Sequence, residues 1–339
     1  MSHLTRRAFL TGVAGMAGIT LLAACGDDDE DEAGDAGGGS DTTAAGATAS
    51  TAAGAGGGAG GKTLAIISPY YSSQPATKEV VDAFKTAAEA AGHTVTLTDT
   101  NNDLAAVNSE METAVSEGVD AIVLGMGDPK EFSAGLGKAV EAGTPVFGLD
   151  AGAAEGITAN ITSDNDFLGT TSAQALIDAM GGSGKVGIIH FDPFEPVRLR
   201  GAAARALFEE QGIEVVEDVQ GDPADSTGFA KRTVLDWLNK YGPGEINGVY
   251  AAWDASADGA YQATQEADRQ DVYVVGVDGQ DFARAAVKEG KTWVATVRQD
   301  WQGIAATALE TITALLVDGT APASQVITVK GELIDASNA

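Results

Sequence analysis

Three features of this sequence predict an α/β protein built from two doubly wound lobes. From Lys62 onward, short apolar runs alternate with amphipathic stretches, the pattern of parallel strands joined by right-handed helical crossovers. Two runs, Thr144-Pro145-Val146-Phe147-Gly148-Leu149-Asp150 and Val272-Tyr273-Val274-Val275-Gly276-Val277-Asp278, are each apolar and each end in an aspartate. Between them the strand–helix pattern restarts without a long loop, so a weak duplication explains it better than one large sheet. In open α/β sheets, ligands bind outside the carboxyl ends of the strands, where both aspartates fall.

In the first half, strands are predicted at 64–67, 94–97, 121–124 and 145–149, each a short run rich in β-branched or aliphatic residues. Helices at 77–91, 105–117 and 131–142 separate them, and Val80, Val81, Phe84 and Ala88 give the first one an apolar face. An extended piece at 157–162 leads through Ser163-Asp164-Asn165 into a helix at 166–180. The second half has strands at 185–190, 214–219, 248–252, 272–278 and 292–297. Its helices are placed at 197–211, 227–240, 255–267 and 282–289, with a long final one at 302–317.

Ahead of these lobes the chain has a different character. Arg6-Arg7 with Phe9-Leu10 precedes an apolar run at 12–24 that is too short to span a bilayer comfortably, so residues 1–24 are assigned as an export signal, its paired arginines resembling a twin-arginine leader. Leu22-Ala23-Ala24-Cys25 resembles a lipobox, which would make Cys25 a lipidated N-terminus and a membrane anchor. Cys25 is also the only cysteine, so no intrachain disulfide forms. Residues 25–61 then hold Asp, Glu, Gly, Ala, Ser and Thr with no aromatic, the composition of a flexible tether. The acidic run from Asp27 to Glu32 is a solvated charge cluster rather than a metal site. Net charge is −29, with 49 acidic and 20 basic residues, and so acidic a chain repels nucleic-acid phosphates.

No catalytic apparatus stands out. Gly182-Ser183-Gly184-Lys185 lacks the flanking residues of a phosphate-binding loop, with Val186 where Ser or Thr belongs and Ala179 where the first glycine belongs. Gly125-Met126-Gly127 lacks the third glycine of a dinucleotide fingerprint. Histidines occur only at 3, 93 and 190, and His190 with Asp192 makes a poor metal site. Neither a cofactor nor a metal is implied, and the chain is expected not to be an enzyme.

Four motifs in order, Ser163-Asp164-Asn165 with Leu168-Gly169, Arg198-Leu199-Arg200-Gly201, Val275-Gly276-Val277-Asp278-Gly279 and Ala295-Thr296-Val297-Arg298-Gln299, resemble the periplasmic sugar-binding proteins of ABC importers, type I, ribose-binding-like. The resemblance runs from about Leu64 to Val329. It implies two Rossmann-like lobes joined by a three-strand hinge, the type I periplasmic-binding-protein fold, with crossings near Asp164, Gln299 and 324–326. The first lobe would comprise 62–164 plus 300–323, and the second 165–299 plus 324–339.

It further implies that Asp150 and Asp278 accept hydrogen bonds from ligand hydroxyls, that Arg198 donates through its planar fork, and that Gln299 donates and accepts at the hinge. A strand-end aspartate such as Asp150 can equally cap the following helix. The chain departs from the pattern in three places. Ser73-Gln74-Pro75-Ala76-Thr77 replaces a segment with two stacking aromatics, leaving Gln74 at the site with Tyr70 and Tyr71 upstream as substitute stacking faces. Asp150-Ala151 loses an arginine, and Trp253 stands where an asparagine is expected. Trp253 either covers an apolar face of the ligand or plugs the cleft wall.

The function implied is a lipid-anchored, extracytoplasmic, monomeric solute-binding protein. It would capture a monosaccharide or polyol and present it to a membrane permease, with no nucleic-acid partner. The alternative is the ligand-binding subunit of a sensory or chemoreceptor system, whose site would look the same.

Overall fold

The computed structural model describes residues 61–339. The expected export leader, the expected lipobox with Cys25 and the expected tether up to residue 60 lie outside the described residues. Among the described residues no helix is long and apolar enough to cross a membrane.

The first sheet is laid down by β1 (Thr63–Ser68), α1 (Pro75–Ala90), β2 (Thr94–Asp99), α2 (Leu104–Glu117), β3 (Ala121–Gly125), α3 (Ser133–Ala142), β4 (Val146–Leu149) and β5 (Ala159–Ser163). The second follows with α4 (Asn165–Ala179), β6 (Lys185–His190), α5 (Glu195–Gln211), β7 (Glu214–Gln220), α6 (Ser226–Lys240), β8 (Gly248–Ala251), α7 (Asp254–Glu266), β9 (Tyr273–Asp278), α8 (Asp281–Lys288) and β10 (Trp293–Arg298). The chain closes with α9 (Trp301–Asp318), β11 (Val326–Val329) and β12 (Glu332–Asp335).

Strand order in the first sheet is β11-β5-β4-β3-β1-β2, and in the second β12-β10-β9-β8-β6-β7. All pairings are parallel except that of β12 with β10. Both sheets are therefore doubly wound with the same order, and in each the winding reverses beside the first strand of the lobe. Strands covered by helices on both faces need apolar side chains on both, and all five residues of β3 are buried, as are five of six in β6 and β9. Helix α9 packs on α1, β4 and β5, so after the second sheet is complete the chain returns to the first.

Capping sets the two crossings that begin helices. Asp164 follows β5 and accepts from the Phe167 amide at 3.1 Å, starting α4. Asp300 follows β10 and accepts from the Gly303 amide at 2.9 Å, starting α9. An aspartate at such a position satisfies amides that the first helical turn leaves without partners.

The tail divides differently from the expected placement of 324–339 in the second lobe. Residues Val326–Val329 pair with Asn160–Ser163 of β5 in the first sheet, and only β12 joins the second. The third crossing lies at Lys330-Gly331, where a Cβ on Gly331 would sit 2.7 Å from the Arg298 carbonyl oxygen. Edge strand β11 is a β-branched run, Val326-Ile327-Thr328-Val329, but it is only four residues long and alternates exposed and half-buried positions.

Candidate functional site

The two apolar runs ending in aspartate become β4 and β9, and their ends are built alike. In each, a glycine stands two residues before the aspartate. A Cβ on Gly148 would lie 2.4 Å from Asn160 Oδ1, and one on Gly276 would lie 2.2 Å from Asp254 Oδ1. The glycines thus leave room for a polar side chain that secures the turn beyond the strand. Asn160 Oδ1 accepts from the Ala151 amide at 3.1 Å, and Asp254 Oδ2 accepts from the Gln280 amide at 2.9 Å. Asp150 (φ 49°) and Asp278 (φ 130°) both have positive φ, a conformation that costs energy for a residue with a side chain and is held here by these surroundings.

Arg200 of α5 joins the two carboxylates. Its Nη1 lies 3.4 Å from Asp278 Oδ1, and its Nη2 lies 3.8 Å from Asp150 Oδ2. Its Nε donates to Asn165 Oδ1 at 3.1 Å and its Nη1 to the Ala252 carbonyl at 3.1 Å, so the guanidinium is fixed before any solute arrives. Gln299 completes the cluster at the hinge, donating to Asp278 Oδ1 at 2.7 Å and accepting from the Ser163 hydroxyl at 2.6 Å. Asp150 just past β4 and Ser163 of β5 lie at the first sheet, Asp278 of β9 and Gln299 just past β10 at the second, and Arg200 is on the helix after β6.

This cluster forms one wall of a cavity of about 460 Å³ between the sheets, counting space open to solvent. The remaining lining is mainly apolar, including Tyr70, Met126, Phe191, Phe194 and Trp253. Tyr70 meets Phe194 edge to face across the lobes with centroids 6.3 Å apart. Around this space the lobes are shut. Gln74 donates to the Pro223 carbonyl and to Ser226 Oγ, Gln280 donates to Glu79 at 2.8 Å, and Lys130 pairs with Glu195 at 2.7 Å.

Of the residues singled out from sequence, Tyr70, Gln74, Asp150, Trp253, Asp278 and Gln299 line this cavity; Tyr71 and Arg198 do not. Tyr71 donates its hydroxyl to Asp82 at 2.8 Å and carries Lys78 Nζ over its ring. Arg198 lies on an outer hollow, 3.2 Å from Glu195 and 3.5 Å from Asp128. The arginine between the carboxylates is Arg200, 1% exposed. The spacing of α5 carried this signal, because Val197, Gly201, Ala204 and Phe208 form its buried stripe, and Arg200 falls on that face while Arg198 does not. Met126, Phe191 and Phe194 were also missed, lying in loops without periodicity. His190 is occupied by Asp192 and Asp218, at 2.8 and 2.9 Å. Among the described residues no group of three or more His, Cys, Asp or Glu side chains could hold a metal ion.

Burying three acids around one arginine raises all three carboxyl pKa values. Burial pushes Asp150 above the usual carboxylate range against the pull of Arg200 and the Thr162 hydroxyl. Burial takes Asp278 up to about 7, with Arg200 and Gln299 pulling the other way. Asp254 goes well above its ordinary value, first through burial and then through repulsion by Asp278. A carboxyl raised in the fold stabilises most below its unfolded value, about 4, and loses that contribution as pH climbs through its folded value. Asp254→Asn keeps the bonds of the neutral acid and cannot ionise. Its melting temperature is therefore expected to gain on wild type as pH rises above about 4, the unfolded carboxyl value. Paired thermal melts over a pH series check this, and a difference independent of pH would contradict it.

The match to a protein-family model decides the family. The model of the periplasmic binding protein domain matches residues 64–320, most of the chain. The chain belongs to the periplasmic binding protein family. Within it, this binding protein is 30% identical to the ribose import binding protein of Bacillus subtilis over 210 residues, 61% of this chain and 67% of that one. It is 27% identical to the xylitol-binding protein of Mycolicibacterium smegmatis over 195 residues, 56% of this chain but only 54% of that relative's length. Among solved structures, an ABC transporter solute-binding protein from Mycobacterium smegmatis with bound glycerol superimposes with a TM-score of 0.74 at 26% identity, covering 82% of this chain and 96% of that one. The superposition covers the two α/β sheets of mostly parallel strands described above.

Proposed function

We propose that this protein is the extracytoplasmic solute receptor of an ABC importer, anchored through a lipidated Cys25, and that it captures a monosaccharide or polyol between its lobes and delivers it to a permease. The observation that carries the proposal is the pair of strand-end carboxylates, one from each lobe, held against a single buried arginine inside the interlobe cavity. Carboxylates accept strong hydrogen bonds from hydroxyls, and a guanidinium donates to hydroxyl or ring oxygens, so a small polyol touching both lobes would stabilise the closed arrangement over an open one. Relatives named for ribose and xylitol support the same solute class. Capture and release of the solute break no covalent bond.

A thermal-shift screen of monosaccharides and polyols tests it. At a solute concentration of 100 times Kd, binding to the folded protein alone adds about 2.7 kcal/mol to its stability, which raises the melting temperature by several degrees. A broad panel without a shift would reject the solute class.

A further inference from the structure

We infer that the solute carries its hydroxyls along one edge and an apolar face opposite them, as a deoxy sugar does, rather than hydroxyls all round. This rests on the proposal that the interlobe cavity is the solute site, and it comes from accounting for each polar atom there.

Most of those atoms are already committed. Both ends of the Gln299 amide are used within the protein, by Ser163 and Asp278. Asp150 Oδ1 accepts from the Thr162 hydroxyl at 2.5 Å and from the Ser163 amide at 3.4 Å. The Thr77 hydroxyl lies 2.8 Å from Met126 Sδ, and the Gln74 Nε2 is spent on the second lobe. Arg200 has used Nε and Nη1.

What remains is small in number and largely gathered in one place. Asp150 Oδ2 is fully buried without a hydrogen-bond partner. Arg200 Nη2, 3.8 Å away, is beyond hydrogen-bond reach of it. Asp278 Oδ2 has a single long contact, 3.4 Å from the Asp254 amide. Trp253 Nε1, on the residue preceding Asp254, is buried without a partner. These two acceptors and two donors suit two or three hydroxyl or ring oxygens presented from one side of a sugar.

Apart from Tyr70 Oη and Gln74 Oε1, the rest of the wall offers a hydroxyl little. Met126, Phe191, Phe194, Val197 and Pro223 line it with side chains that neither donate nor usefully accept. The Tyr70 ring adds apolar surface to this wall, meeting Phe194 edge to face. A hydroxyl turned to this wall gives up its water without a replacement, whereas a methyl group gains contact there.

Matched sugars test this directly on the unmodified protein. Calorimetric titration would compare L-rhamnose with L-mannose, L-fucose with L-galactose, and 2-deoxy-D-ribose with D-ribose, each pair differing by one hydroxyl. In the pair that fits the cavity, the deoxy member is expected to bind about tenfold tighter or more. Val197→Thr, which places a hydroxyl on the apolar wall at nearly constant volume, is expected to narrow that ratio. If in every binding pair the fully hydroxylated sugar binds as well or better, the inference is overturned while the solute-receptor proposal stands. If no member of any pair, and no other sugar or polyol, binds at all, the proposal falls and the inference with it.

Discussion

Arg200→Met is expected to abolish solute binding and to lower the stability of the fold by about 3–5 kcal/mol, the usual cost of removing one partner from a buried ion pair. Arg200 is 1% exposed and, among the described residues, is the only cation within salt-bridge distance of Asp150 and Asp278. Without it, two buried carboxylates must either ionise with no counter-charge or take up protons, and both alternatives cost folding free energy at neutral pH. The melting temperature should fall on the order of 10 °C. Arg198→Ala is the matched control. Its side chain is one-third exposed and its pairs lie outside the cavity, so it should change stability by about 1 kcal/mol or less and leave the solute affinity within a few-fold. Equilibrium denaturation and calorimetry on both variants check this. Equal effects from the two arginines would contradict the geometry described.

Asp278→Asn is expected to separate binding from folding. The substitution preserves shape but removes the charge that strengthens hydrogen bonds from solute hydroxyls, and losing a buried charged partner costs about 2–5 kcal/mol of binding, at least about thirtyfold in Kd. Stability should hold or rise at neutral pH, because burial raises Asp278 to about 7 and its charge raises Asp254 further. A variant that retained near-native affinity would move the site away from the end of β9. One that failed to fold would show that Asp278 serves the hinge first.

The legible parts of this protein were those where local pattern and global placement agree. Aspartates at the ends of two apolar runs could be picked from sequence because a strand covered on both faces reads as a continuous apolar stretch, and its carboxyl end is where a doubly wound sheet receives ligands. Arg200 was missed in favour of Arg198 because two arginines two positions apart look equivalent in a motif. Only the helical stripe through Val197, Gly201, Ala204 and Phe208 decides which one turns inward. Tyr70 and Tyr71 posed the same problem in a loop without a period; one is 7% exposed beside Phe194, and the other is tied outward to Asp82 and Lys78. Strand β11 escaped notice although Val326-Ile327-Thr328-Val329 is itself a β-branched run, because it is only four residues at a sheet edge and its partner β5 lies more than 160 residues earlier in the chain.

The glycines at 148 and 276 add something that composition alone does not convey. Each makes space for Asn160 or Asp254, whose side chains lock the turns that carry Asp150 and Asp278 into the cavity. The repeated strand end is thus a repeated device, with an amide-bearing side chain in one lobe and a carboxyl in the other. The carboxyl version is the one that leaves a pH signature.

The central claim is that one solute is gripped from both sides by a cavity that exists only when the lobes are closed. Small-angle X-ray scattering with and without a saturating solute, at a concentration where calorimetry shows full occupancy, tests this most directly. The account predicts a smaller radius of gyration on binding in the wild type and no contraction in Asp278→Asn. Full occupancy by calorimetry with an unchanged radius of gyration would contradict it, because the solute would then be bound without drawing the lobes together.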